Sequence, residues 1–442
     1  MKRIIFQAVI AFAVSGLHLH VLHGQEKPPL RALVDASTGT SVEELIRLAL
    51  SRNNSFLASK QRLPEAQGLA VQAGLKPNPG LDVSLTNGSV LGSAGERGFG
   101  FGYGHVFELG GKRNRRIEVA GVGTELATLD IAERERLLRF ETRAKFAEAL
   151  AAFRNFEISE SLLQLNRRSL QIAQARYQQG EAPQLEPGLL KVEVSRIQSD
   201  LLLFENQVRR ALADLKVLAG IDPTTELKIK GSLGGALITV SEQDALQKAL
   251  KERPDLQAAI REQSLGESEL RLAQSEAVPN LTAFGRYAQS TSQFDQFGLA
   301  QNGGGLQRIR DVDNTLTVGL SLNLPVRNRN QGNIQAAVAR QHAARLRRAY
   351  AEQSVARDVR NAFTRYEAAL QATKIFDQDV LQQAQSNVSI LRAAYDAGEL
   401  RLLDVINEQR RLIDTQRAYT DVLREAYLSL VDLERAVGSQ LF

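Results

Sequence analysis

The sequence predicts a mainly α-helical protein with a membrane β-barrel. Long antiparallel coiled-coil helices would continue as a tunnel, and the four strands per chain would make a twelve-stranded trimeric barrel if three copies assemble. Three observations predict this. First, the chain repeats itself. Laid over residues 393–438 without a gap, residues 175–220 agree at ten of 46 positions, among them Tyr177/Tyr395, Gly180/Gly398, Glu181/Glu399, Leu185/Leu403 and Asp214/Asp432, with Glu186 falling on Asp404. Tyr, Gly and Asp are rare in these helices, so composition does not explain the match, and a repeat constrains the fold before any local pattern does. Second, two stretches alternate with a period of two. Phe99, Phe101, Tyr103, His105 and Phe107 alternate with Gly100, Gly102, Gly104 and Val106; Leu316, Val318, Leu320, Leu322 and Leu324 alternate with Thr317, Gly319, Ser321 and Asn323. Third, residues 112–178 and 330–396 contain no proline. At 1.5 Å per residue each would reach roughly 100 Å.

Residues 1–24 read as a secretory signal. Lys2 and Arg3 precede a mostly apolar run of 14 residues, Ile4 to Leu17, and Gly24 supplies a small residue for cleavage. The run is too short to span a bilayer, and a buried first helix would have to hide His18, His20 and His23. The chain has no cysteine, which excludes disulfides, thiolate metal sites and a lipidated N-terminal Cys. Without Lys2 and Arg3 the formal charge falls from +5 to +3, which is no argument for nucleic acid. Residues 25–40 read as a loose linker. Ser41, with Glu44 three residues on, forms a capping box and opens an amphipathic helix, and Ser241 opens its counterpart. The mature chain thus divides into a unit over 41–220, a linker over 221–240 and a unit over 241–442.

In each unit a Pro-Asn pair, Pro77-Asn78 and Pro279-Asn280, precedes a β-hairpin, about 79–110 and about 279–325. Strands at 81–91 and 281–289 pair with the alternating stretches, through linkers 92–98 and 290–313. Alternation of apolar and small or polar faces suits a strand between lipid and water, although a half-buried soluble sheet gives the same pattern. Four strands cannot close a barrel, since the smallest have about eight, and open edges are not tolerated in lipid. Either the chain assembles, or the strands lie outside a membrane. In the long helices Phe140, Ala144, Ala147 and Ala151, then Ile158, Leu162 and Leu165, fall at spacings of three and four. Val194, Ile197, Leu201, Phe204, Val208, Ala211 and Leu215 of the return helix do likewise. That is coiled-coil periodicity.

With these features the mature chain resembles, over essentially its whole length, the TolC family of trimeric outer-membrane efflux ducts. The carriers are LALSRN from Leu48, KPNP from Lys76, RYQQGE from Arg176 and AAYDAGELRLLDV from Ala393. FELGGKR from Phe107 and LPVRNRNQG from Leu324, at the two strand-to-helix junctions, are similar to the CzcC-like branch, which works with heavy-metal RND pumps. The resemblance implies an outer-membrane duct with its helical tunnel in the periplasm, partnered by a periplasmic adaptor and an inner-membrane RND pump. It implies a periplasmic gate at the helix-to-helix turns. Asp404 matches the first of two pore-lining acidic positions and Asn407 the second, so half of that ring is missing. Tyr395 matches a tyrosine that bonds an acidic residue of the neighbouring chain in the closed state, and Glu186 stands at the partner position. An arginine of that network falls on Leu400; Arg401 is adjacent but about 100° away on a helix. Fewer polar bonds are therefore expected to hold this gate. The tips Gly180, Glu181, Ala182 and Gly398, Glu399, Leu400 are expected to meet the adaptor.

The residues also have plainer readings. Three Asp404 carboxylates near one axis would repel and hold a cation, but Asp404 could equally N-cap the return helix. Tyr177 and Tyr395 could simply pack at helix ends, and Gly180 and Gly398 stop helices in any hairpin. Lys112, Arg113, Arg115 and Arg116 are expected at the membrane interface. The mature chain keeps two histidines, His105 and His342, too few for a soft-metal site, and no cofactor is expected. No nucleophile elbow, phosphate loop or HExxH occurs, and the glycines of GFGFGYGH belong to strand alternation; the chain is not expected to be an enzyme. Two alternatives stand. A secretion duct of an ABC exporter would share the fold and differ in its partners. A periplasmic coiled-coil spacer would carry no current.

Overall fold

The computed structural model describes residues 30–34, 38–91, 95–234, 241–300 and 302–440. The signal expected over 1–24 lies outside the described residues. Helix α1 (Val42–Arg52) starts at Ser41, whose Oγ accepts from the Glu44 amide at 3.3 Å, while Glu44 Oε2 accepts from the Ser41 amide at 3.0 Å. Short α2 (Asn54–Lys60) and α3 (Arg62–Gly74) lead to strands β1 (Gly80–Asn87) and β2 (Arg97–Phe107). Helix α4 (Lys112–Gln178) then runs 67 residues without a break, and α5 (Leu185–Ala219) returns beside it. After a crossing segment come α6 (Glu242–Glu252), α7 (Pro254–Glu276), β3 (Leu281–Leu299), β4 (Leu306–Leu322), α8 (Gln331–Ile375), α9 (Leu381–Asp396) and α10 (Leu402–Val437). The chain is thus mainly helical with one four-stranded antiparallel sheet, ordered β1-β2-β3-β4.

The second hairpin is longer than the sequence suggests. Residues 290–313 do not form a linker: β3 continues to Leu299 and β4 starts at Leu306, with Ser290 opposite Asp313 and Thr291 opposite Val312. The Ser, Thr and Gln residues there satisfy a two-stranded ladder as well as they would a loop, so composition alone misleads. The first hairpin is shorter, because residues 88–91 leave the strand as a 3-10 turn. The expected linker over 25–40 is not loose where it is described. Leu30 and Leu33 are buried, and the Ile229 amide donates to Leu33 O at 2.9 Å while the Lys230 amide donates to Thr40 O at 3.0 Å. These two crossing segments close over the middle of α4. There Phe146, Leu150, Phe153 and Phe156 meet Leu45 and Ile46 of α1, Val208, Leu212 and Leu215 of α5, and Tyr419 and Leu423 of α10. Each fully buried Leu contributes about 1.5–3 kcal/mol. Of the α5 stripe read from the sequence, Val194, Ile197, Val208, Ala211 and Leu215 are buried, while Leu201 and Phe204 are half-buried.

The second long helix also departs from expectation. It is interrupted by one π turn, Phe376–Val380, between α8 and α9. The turn is held from α10: the Phe376 and Tyr419 rings stack at 5.9 Å, and Tyr419 Oη donates to Asp377. Burial and that carboxylate push the Tyr419 phenol up to about 12. A π turn inserts one residue without a proline, so absence of proline did not guarantee an unbroken helix.

Both return helices end on a left-handed glycine packed against the start of its unit. Gly220 (φ 62°) follows α5, and a Cβ there would stand 2.6 Å from the Arg52 carbonyl oxygen. Gly438 (φ 95°) follows α10 against Arg253, which is buried and ion-paired to Asp255 and Asp358. Left-handed backbone costs a non-glycine about 1–3 kcal/mol before any clash. Gly220→Ala is therefore expected to destabilise each chain by at least ~1–3 kcal/mol, read as a lower unfolding temperature by circular dichroism. An unchanged temperature would mean that this close approach relaxes freely.

Candidate gate and membrane-facing surface

The sheet presents one apolar face. The register places Leu81 opposite Tyr103, Val83 opposite Phe101 and Leu85 opposite Phe99; Phe101 then meets Tyr287, and Tyr287 meets Leu316. Because side chains alternate, these residues share a face with Val318, Leu320 and Leu322. The face is uncovered, Val318 being 78 % exposed. On β4 this face runs apolar from Leu316 to Leu322, and the whole strand, Leu306–Leu322, is 17 residues, longer than the ~9–11 residues a tilted membrane strand needs. The opposite face is small or polar apart from Phe284, which lies between Gly104 and Gly319. Gly98, Gly100, Gly102 and Gly104 line it, with Ser84 and Asp82 beside them and Arg286 donating to Asp82 at 2.8 Å. Here alternation serves the other face too: a Cβ at Gly319 would lie 2.6 Å from the Phe284 ring. β1 and β4 are the two edges of the sheet, each hydrogen-bonded on one side.

The junctions FELGGKR and LPVRNRNQG turn strand into helix. Gly110 and Gly111 are both left-handed (φ 73° and 72°), and Asn330 (φ 60°) does the same before α8, its Nδ2 donating to Ala273 O at 2.8 Å. The basic cluster is engaged here and does not point freely to the membrane interface. Lys112, 9 % exposed, donates to Asn280 at 2.5 Å; Arg113 donates to Gly74 O at 2.6 Å; Arg116 pairs with Glu108 at 2.5 Å. Tight docking of α4 against α3 and the Pro279-Asn280 turn uses up these cations.

At the other end of the long helices, the two repeated turns have one backbone design. Gly180 (φ 78°) and Gly398 (φ 80°) stop α4 and α9, and the next amides, Glu181 and Glu399, each donate 2.9 Å back to Arg176 O and Ala394 O. That pattern satisfies helix-end carbonyls and leaves Glu181, Glu399 and Leu400 exposed, with Ala182 half-buried. Helix α5 resumes at Leu185, just past the expected tip. Asp404 is not the N-cap of α10. Arg401 holds that position, and Asp404, at the third helical residue, accepts from the Arg401 amide at 3.3 Å. Asp404 and Asn407 are exposed on the same side of α10, one turn apart.

Tyr395 and Glu186 do meet, Oη donating to Oε2 at 3.0 Å within the chain. The reason is local packing: Ala173, Leu190, Leu402 and Ile406 pull α9 and α10 against the start of α5 in the same chain. Burial, then the carboxylate, raises the Tyr395 phenol. Arg401 has no carboxylate partner among the described residues and does not replace the arginine absent at Leu400. Above the turns, α5 is joined to α10 by two ion pairs that the sequence reading missed, Glu193–Arg410 and Asp200–Arg417. Glu193, 2 % exposed, accepts from Arg410 at 2.5 Å and from Arg196 at 2.7 Å. Asp200 accepts from Arg417 at 3.1 Å, and Arg417 also donates to Ser159 at 3.2 Å. Burial opposes the Glu193 charge, but the two arginines outweigh it and hold the carboxyl below its usual range. Glu186, Glu193 and Asp200 are spaced by sevens, as are Arg410 and Arg417. That heptad signal was legible in the sequence and could have found the ladder joining α5 to the α9–α10 hairpin.

An apolar-faced sheet joined to helices of ~100 Å that end in paired turns defines an outer-membrane channel component. The family model for outer membrane efflux proteins matches residues 45–221 and 245–439. The chain belongs to that family, which comprises transport channels and not enzymes, and it acts in the outer membrane with its helical part in the periplasm. It is 24 % identical over 409 residues, 91 % of each chain, to the cobalt-zinc-cadmium resistance protein CzcC of Cupriavidus metallidurans. It is 25 % identical over 432 residues to the pyoverdine export outer membrane protein OpmQ of Pseudomonas putida, covering 91 % of this chain and 87 % of the relative. Among solved structures the transmembrane channel protein CusC superposes with a TM-score of 0.74 at 16 % identity, covering 95 % of this chain and 96 % of the other.

Proposed function

We propose that three copies of the chain close a twelve-stranded barrel and continue as a helical tunnel, forming the exit duct of a tripartite pump. The observation that carries this is the sheet itself. Its apolar face is uncovered and its β1 and β4 edges are free in one chain, which lipid forbids unless copies join edge to edge. The units 41–220 and 241–442 supply one hairpin each. Energy comes from an inner-membrane partner, which we take to be an RND pump, and the chain itself performs no catalysis. The tips Gly180, Glu181, Ala182 and Gly398, Glu399, Leu400 dock the periplasmic adaptor. Asp404 and Asn407 form the constriction, and Tyr395 with Glu186 ties it shut.

The cargo we infer is a heavy-metal cation, supported by the likeness to CzcC. With two histidines and no cysteine in the mature chain, selectivity must lie in the partners, because soft ligands are what such metals prefer. The test is cellular. Cells lacking this chain should accumulate cobalt, zinc or cadmium several-fold, and re-expression should reverse it. Normal metal content with pyoverdine retained in the cells would instead point to an organic cargo, as the OpmQ likeness suggests.

Asp404→Ala is expected to weaken the cation preference of the pore several-fold, read from the reversal potential across a salt gradient. An unchanged reversal potential would remove Asp404 from the constriction.

A further inference from the structure

The long β3–β4 hairpin sorts its charges by face. Continuing the alternation beyond the apolar band, Arg310 and Arg308 of β4 fall on the lipid-facing side with Val312 and Leu316, whereas Asp311 and Asp313 fall on the other. Arg97 of β2 lies opposite Thr291, which lies opposite Val312, so it joins the same outward face. Arg97 and Arg310 have no carboxylate partner among the described residues; Arg308 lies 3.5 Å from Asp295, a fully solvated residue of the irregularity between Gln293 and Phe297. Just below, Tyr287 Oη donates to Asn314 at 2.7 Å, marking where the apolar band gives way to polar groups.

We propose that Arg97, Arg308 and Arg310 bind phosphate groups carried on the sugars of a glycolipid in the outer leaflet. This rests on the barrel reading above. Charge complementarity and continuity with the lipid-facing surface argue for a lipid phosphate. Height argues for the glycolipid. Arg310 is six residues beyond Leu316, about 20 Å along the strand and ~15 Å along the membrane normal after tilt. The headgroup layer of a bilayer adds only about 5–8 Å on each side, so the phosphate of an ordinary phospholipid lies well below Arg308 and Arg310. Arg97, level with Val312 and four residues beyond Leu316, stands lower, at ~10 Å, and completes the site from beneath. Arginine forks match phosphate oxygens in pairs.

The test uses the purified full chain, reconstituted in phosphatidylcholine vesicles doped with either diphosphorylated lipid A or phosphatidylglycerol, then extracted and weighed by native mass spectrometry. Wild type is expected to retain lipid A on each assembly. The R97Q/R308Q/R310Q variant should lose at least five-fold of it, and R327Q/R329Q, at the opposite end of the barrel, should not. A single R310Q variant guards against misfolding of the triple one, and should lose part of the binding. Retention of lipid A by both the triple and single variants at the wild-type level overturns the proposal. So does equal retention of phosphatidylglycerol by wild type, which would mean a general anionic headgroup. If wild type fails to enter vesicles of either kind, the barrel reading fails and not merely this site.

Discussion

Leu320→Arg should abolish assembly in the membrane, while Ser321→Arg, one residue away, should be tolerated. Leu320 sits at the centre of the apolar stretch from Leu316 to Leu324, and its side chain is uncovered. An arginine on the lipid face costs ~2–4 kcal/mol at the bilayer midplane. Three copies in one barrel would multiply that to about 6–12 kcal/mol, enough to remove nearly all inserted trimer. Ser321 pairs with Thr282 on the opposite, small and polar face, where a guanidinium meets water in the lumen. The readout is the heat-modifiable trimer recovered from outer-membrane fractions. Equal recovery of both variants would place the sheet outside lipid and favour the periplasmic spacer.

Glu193→Gln should loosen the gate more than Tyr395→Phe does. Both oxygens of the Glu193 carboxylate are in use, Oε2 by Arg410 and Oε1 by Arg196. Hydrogen bonds to a charged group contribute about 1.5–3 kcal/mol each; Tyr395 gives Glu186 one such bond, whereas Arg410 gives Glu193 two, from Nε and Nη2, with charge on both partners. Arg410 and Arg196 are themselves well solvated, so the loss comes from the link and not from stranded charges. The variant is expected to raise open probability and conductance at neutral pH by several-fold while the protein stays folded. The pH dependence has a definite sign. The folded carboxyl titrates below its unfolded value, so the link is complete above the unfolded pKa, about 4.3. It is lost as pH falls through the depressed folded value. Wild type should therefore approach the variant's behaviour only in strong acid. Identical traces from wild type and Glu193→Gln at neutral pH would confine the latch to the tip.

The sequence made the regular parts of this fold legible because they follow periods. Alternation at Phe99–Phe107 and Leu316–Leu324, and the stripe Val194–Leu215, are simple consequences of where side chains point on strands and helices. Three features escaped for physical reasons. The extension of β3 and β4 through residues 290–313 rests on cross-strand pairing of Ser, Thr, Gln and Asp, whose composition reads equally as loop. The π turn at Phe376–Val380 depends on a tertiary stack with Tyr419, and no local code announces it. Tyr395 reaches Glu186 within its own chain, a geometry set by the packing of α9 and α10 on α5 and not by any local period. Glu193 was overlooked for a different reason: on a charged helix a glutamate reads as solvated, and only packing against α10 buries it.

The most direct measurement of the central claim is single-channel recording of purified wild-type protein in a planar bilayer, beside Glu193→Gln. The account predicts a small, cation-selective conductance from wild type and a larger one from the variant. Silence from both, in preparations shown to contain folded trimers, would contradict it.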